Sequence, residues 1–172
     1  MRWLMFSILA YFALGIQGGL AIAMPDGVRL NLMLLVVIFV TVNAPREYGL
    51  LAAFMLGMLQ DLFTGSPMGL WAFSYGIVGM FVVSTQEYVY KAHPLTNISL
   101  ALVGGIITTT IAVIEAWVHH RHLSLMPLAK GVFYLSVLSP IVLGLLDRGK
   151  KAFGFRSRSL GSMRVSRAGP RV

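Results

Sequence analysis

The 172-residue chain contains no cysteine. Disulfide staples, thiolate nucleophiles and cysteine-based metal sites are therefore excluded. Charge is scarce as well. Asp, Glu, Lys and Arg make up 12% of the residues, where an ordinary soluble domain carries about 25%. The usual catalytic sets are missing: Gly-x-Ser-x-Gly, a Gly-x-Gly-Asp carboxylate pair, His-Glu-x-x-His and a phosphate loop. Three of the four histidines crowd into one stretch, His119, His120 and His122, and make no relay. The reading is of a protein that is not an enzyme and needs no cofactor.

Hydrocarbon dominates what is there. Hydrophobic types make up 57% of the chain, with a mean hydropathy of +0.78. They come in long runs rather than on one stripe or on alternate positions, which predicts an all-α polytopic membrane protein without a second folded domain. Six spans are expected, at about Trp3 to Met24, Val28 to Val42, Glu47 to Phe63, Pro67 to Tyr88, Asn97 to Val118 and Met126 to Leu146. The first run ends in Ala21-Ile22-Ala23, a small-x-small pattern like a cleavage site. It exceeds the ~7–15 residues of a signal core, so it reads as a retained helix. The second run falls short of the ~20 residues that usually cross a bilayer, which predicts a tilted helix or one shielded by its neighbours.

Eight of the 14 basic residues lie from Arg148 onward, and no acid follows Asp147. The chain thus divides into a transmembrane domain, 1–147, and a flexible basic tail, 148–172. Positive charge beside the last span places the tail, and with six spans both termini, in the cytoplasm. Arg148, Lys150, Lys151, Arg156 and Arg158 are the residues expected to meet anionic lipid. Nucleic-acid binding is disfavoured, because the tail has almost no aromatic residues interleaved.

One acid stands in the oily stretch GMLQDLFTGSPMG. Gly49, Ala53, Gly57, Asp61, Gly65 and Gly69 recur every four residues. On the helical part this lines small residues along one face, which lets another helix approach closely. Asp61 stands one turn before the helix end, where the dipole disfavours an anion. It needs a partner. Gly65 suits a left-handed cap, Ser66 an N-cap and Pro67 a first helical position, so the free amides opening the next helix are one choice. Arg29 is the other. Further along, Glu115 and Lys130 should meet at similar depth as an ion pair. Glu115, His119 and His122 share a helical face that a metal could use, but histidines at a membrane edge usually just meet headgroups, and no metal is expected. Gly104, Thr108 and Ala112 repeat the small-residue spacing. Pro140 should kink the last helix, with Ser136 satisfying the freed backbone.

The run RLNLMLLVVIFV followed by NAPREYGLLAAFMLGMLQDLFTGSPMGLWAFSYGIVGMFV resembles the bacterial rod shape-determining MreD family. The positions that carry the likeness are Arg29, Asn31, Pro45, Gly57, Asp61, Leu62, Thr64, Gly65, Ser66 and Gly69. The resemblance implies a non-enzymatic subunit of the cell-elongation machinery in the bacterial inner membrane, supporting peptidoglycan synthesis and cell shape. It implies a single-span MreC-like partner, together with MreB, RodA and a class B transpeptidase. It also implies a compact bundle like the six-helix substrate-binding subunits of vitamin-type importers, with an outward-facing groove. The first hypothesis is therefore a scaffold in which the small-residue face of the third and fourth helices, anchored by Asp61, receives the partner's transmembrane helix. The alternative is a small-solute or proton-coupled transport subunit using Asp61, Glu115 and Arg29.

Overall fold

The computed structural model describes residues 3–23, 28, 30–65, 68–85, 94–120 and 125–149. Six helices account for all of the regular structure among them: α1 (Trp3–Ala23), α2 (Leu32–Asn43), α3 (Arg46–Thr64), α4 (Leu70–Thr85), α5 (Pro94–Val118) and α6 (Leu125–Arg148). Each falls on one of the six expected runs, with boundaries displaced by up to four residues. The largest shift is at α2, which begins at Leu32 rather than Val28.

The short second run is the axis of the bundle. Every residue from Leu32 to Thr41 is buried, and α2 touches each of the other five helices. This explains its composition: a helix covered on all sides is apolar all round. Its 12 residues rise only about 18 Å, well short of a ~30 Å hydrocarbon core. The expected shielding by neighbours is what the packing supplies. Two helices are long and apolar enough to cross a membrane, Leu95–Val118 and Leu125–Arg148. Large apolar side chains including Tyr11, Phe12, Trp117, Ile141 and Leu145 project outward from α1, α5 and α6, an exposed hydrocarbon surface that suits lipid rather than water.

Local chemistry sets the helix ends. Asn31 caps α2 with its side chain, which accepts the Leu34 amide at 3.4 Å. A second free amide, that of Met33, donates to Gln17 Oε1 of α1 at 3.1 Å. Asn31 Oδ1 also accepts the hydroxyl of fully buried Tyr75 of α4 at 2.6 Å. The start of the axial helix is thus tied to two neighbours by groups that would otherwise be orphaned.

Pro140 lies inside α6 without ending it. Proline has no N–H, so the carbonyl four residues back, that of Ser136, loses its helical partner. The Ser139 hydroxyl takes its place at 2.7 Å. Ser136, expected in that role, instead donates to the Val132 carbonyl at 2.8 Å. The correction is geometric: a serine cannot cap its own carbonyl, but the residue preceding the proline reaches back one turn to it.

Candidate functional site

The stripe of small residues on α3 is filled from within the chain. A Cβ built on Gly57 would stand 2.4 Å from Ala72 Cα and 2.5 Å from the Trp71 carbonyl oxygen, so α3 and α4 meet backbone to backbone there. One turn back, Ala53 Cβ would lie 3.0 Å from a Cβ at Gly79 of α4, and at the far end Gly49 abuts Thr41 of α2. On α3, the face expected to receive a partner's helix is occupied by α4 and α2.

Asp61 fastens the open end of this contact. It is 3% exposed. Its Oδ2 accepts the Gly69 amide at 3.0 Å and the Ala72 amide at 3.2 Å, while Oδ1 accepts the Trp71 amide at 2.9 Å. The Trp71 and Ala72 amides belong to the first turn of α4 and Gly69 stands just before it; such amides have no helical acceptor, and the positive end of the α4 dipole faces the anion. Gly65 caps α3 in the left-handed region at φ 61°, and Gly69 turns the chain again at φ 101°. α4 starts at Leu70. Ser66 and Pro67, expected as cap and first helical residue, lie outside the described residues, as does Arg29, the other partner considered for Asp61.

Beside this hairpin lies a cavity of about 460 Å³. All six helices reach it: Gln17 from α1, Leu34 from α2, Gln60 from α3, Trp71 from α4, Thr108 and Glu115 from α5, and Leu128 and Leu135 from α6. It sits at the end of the bundle where α2, α4 and α6 begin and α3 and α5 finish. The reason for a hollow there is the shortness of the axial helix. α2 begins at Leu32, and the helices around it continue past that level. Close approach of α5 and α6 shapes one wall, since a Cβ at Gly105 would lie 2.8 Å from Val132 Cγ1. The expected small-residue face of α5 splits between two neighbours. Gly104 packs on Val78 and Leu34, while Thr108 and Ala112 line the cavity.

Among the polar groups of the wall, most are satisfied. Thr108 Oγ1 donates to the carbonyl of Gly104 at 3.0 Å, and Thr64 Oγ1 to that of Gln60 at 2.8 Å. Two buried acceptors, Gln60 Oε1 and Glu115 Oε1, have no hydrogen-bond partner among the described residues. Glu115 was expected to meet Lys130. It has an ion-pair contact with His119 on the next turn of its own helix, 3.4 Å from Nδ1 to Oε1. Nδ1 lies closer to the Glu115 main-chain carbonyl, at 3.0 Å, which leaves the carboxylate oxygen without a donor. Lys130 is half-buried in the first turns of α6 and has an interaction of its own. His122, the third residue considered for a metal, lies outside the described residues.

Of the tail residues expected at lipid, Arg148 closes α6. Lys150, Lys151, Arg156 and Arg158 lie outside the described residues. Sequence reading missed Gln17, Gln60 and Tyr75. Each carried the same signal, a lone polar group in an apolar run, and Gln60 was overshadowed by the acid beside it.

Comparisons with curated proteins and with solved structures returned no match. One family model does match, that of the rod shape-determining protein MreD, over residues 1–146. The span takes in α1, which carries none of the motif positions, and stops just short of the basic tail. Families of this kind determine cell shape and are not enzyme families. Since that match covers most of its length, the chain belongs to the MreD family of rod shape-determining membrane proteins.

Proposed function

We propose that the chain is a scaffold subunit of the cell-elongation machinery, spanning the bacterial inner membrane six times with both termini in the cytoplasm. It holds a single-span MreC-like partner and, with MreB, RodA and a class B transpeptidase, supports peptidoglycan synthesis. The observation that carries this reading is the cavity to which all six helices contribute. With the α3 stripe closed by α4, the cavity is a concave surface among the described residues that is open to a partner segment. In the proposed orientation it opens on the outer side of the membrane. The basic residues from Arg148 onward hold the opposite end against anionic lipid.

The shortness of α2 fits six spans. Backbone at membrane depth must find its hydrogen bonds within the protein, and the Met33 and Leu34 amides do so through Gln17 and Asn31. Carriage of protons by Asp61 is disfavoured, because both of its oxygens are engaged by backbone amides.

Filling the cavity tests the reading. Ala112 lines it and is half-buried, so Ala112→Trp should prevent co-purification of the partner from membranes while the bundle stays monodisperse. A folded Ala112→Trp chain that still carries its partner overturns the assignment of the seat. Saturable solute uptake by the chain alone in liposomes, lost in Asp61→Asn, would instead establish the transport reading.

A further inference from the structure

We infer that the group entering the cavity is a basic side chain of the partner, and that Glu115 and Gln60 are the residues that read it. The inference rests on the partner-binding reading above and adds the chemistry of the contact.

The polar wall of the cavity has been mostly spent on the bundle itself. Asn31 Oδ1 takes the Leu34 amide and the Tyr75 hydroxyl, and Gln17 Oε1 takes the Met33 amide. Thr108 and Thr64 turn their hydroxyls onto carbonyls of their own helices. Among the described residues, two buried acceptor oxygens are left over. Gln60 is 1% exposed, and its Oε1 accepts nothing from the described residues. Glu115 Oε1 also lacks a hydrogen bond among the described residues; it has an ion-pair contact with the half-exposed His119 at 3.4 Å, and 14% of the Glu115 side chain is exposed. Both are acceptors. They come from different helices, α3 and α5, and face one cavity.

Buried acceptors are normally paired, and an unpaired one points to a donor supplied from elsewhere. The sign of the charge narrows the donor. Among the described residues, the wall contains one carboxylate, that of Glu115, and neither a lysine nor an arginine. An acidic or purely apolar occupant would leave both oxygens unmet, whereas an ammonium or guanidinium offers several N–H donors at once and compensates the carboxylate. The apolar remainder of the wall, with Leu34, Leu128, Leu135 and Trp71, suits the methylene stem behind such a head.

The absence of cysteine from the chain makes a direct test simple. Thr109, which lines the cavity, is replaced in Thr109→Cys and labelled with a membrane-impermeant maleimide, with and without the co-expressed single-span partner. The partner is expected to slow labelling at least tenfold in the otherwise unchanged chain. Adding Glu115→Gln, or separately Gln60→Leu, should remove most of that protection while the melting temperature of the isolated chain stays within a degree or two. Protection that survives both substitutions overturns the inference and leaves the partner seat intact. No protection by the partner in the unsubstituted wall overturns the seat itself. Slow labelling without any partner means that a lipid or solute fills the cavity, which also defeats the proposal. A melting temperature that falls sharply in Glu115→Gln would assign the carboxylate to a pair inside the chain, such as one with Lys130, and defeat it likewise. Because the two variants lie on different helices, a folding defect in one leaves the other to decide.

Discussion

Asp61 and Trp71 are joined by a 2.9 Å hydrogen bond from the backbone amide that opens α4 to the carboxylate that closes α3. With the Gly69 and Ala72 amides on the other oxygen, the acid acts as a latch on the hairpin. A carboxylate costs about 2.5–3.5 kcal/mol to place at the centre of a membrane helix. Here that cost is offset by three charge-assisted bonds and a favourable dipole. Asp61→Asn keeps the shape but turns an NH₂ group toward amides that can only donate. It should destabilise the folded chain by about 1–3 kcal/mol, read as a lowered melting temperature in detergent. An unchanged midpoint would mean that the latch carries no stability.

Two glycines on facing helices should behave oppositely. Gly57→Ala drives a methyl into the Ala72 backbone and should cost about 1–3 kcal/mol through overpacking. Gly76→Ala on α4 meets open space and should be neutral or stabilising by up to about 1 kcal/mol from helix propensity. Equal effects in a melting series would contradict the close approach of α3 and α4.

Gly65 separates conformation from packing. A Cβ there touches nothing, yet its φ is +61°. Gly65→Ala should therefore cost about 1–2 kcal/mol, and Gly65→Asn less, because asparagine tolerates the left-handed region. The order Gly, Asn, Ala in melting temperature is the expected result.

Ser139 and Pro140 form a unit, since the serine hydroxyl serves the carbonyl that the proline frees. Ser139→Ala should cost about 0.6 kcal/mol, the usual scale for polar contacts in membrane bundles. In a Pro140→Ala background, which restores the N–H, the same change should cost less. A double-mutant cycle on thermal stability measures the difference, and a zero coupling term would refute the pairing.

Much of this molecule was legible before any coordinates. Six apolar runs broken by PDG, NAPR, TGSP, KAHP and HHRHLSL predicted six helices, because a backbone in hydrocarbon has few alternatives. Gly65 was readable as a left-handed cap, since few other residues adopt that turn cheaply. That Asp61 needs a partner, with the amides opening the next helix as one of two choices, came from its own sequence neighbourhood, as those amides lie only 8 to 11 residues away.

Long-range choices were not legible. The four-residue spacing along α3 announced a close helix contact but not which helix made it, and packing gave that face to α4 and α2. Nor could local pattern show that the shortest apolar run would become the axis. An all-round apolar helix reads alike whether lipid or protein covers it. Glu115 has an ion-pair contact with His119, four residues along its own helix, which depth alone did not suggest. The cavity lies furthest from sequence. It exists because the axial helix begins below the level its neighbours reach, a property of six helices together. Composition and turn chemistry determined the elements and their ends, which depend on bonds a few residues long. Only tertiary packing decided which faces met and what was left open, because those depend on contacts between residues far apart in the chain.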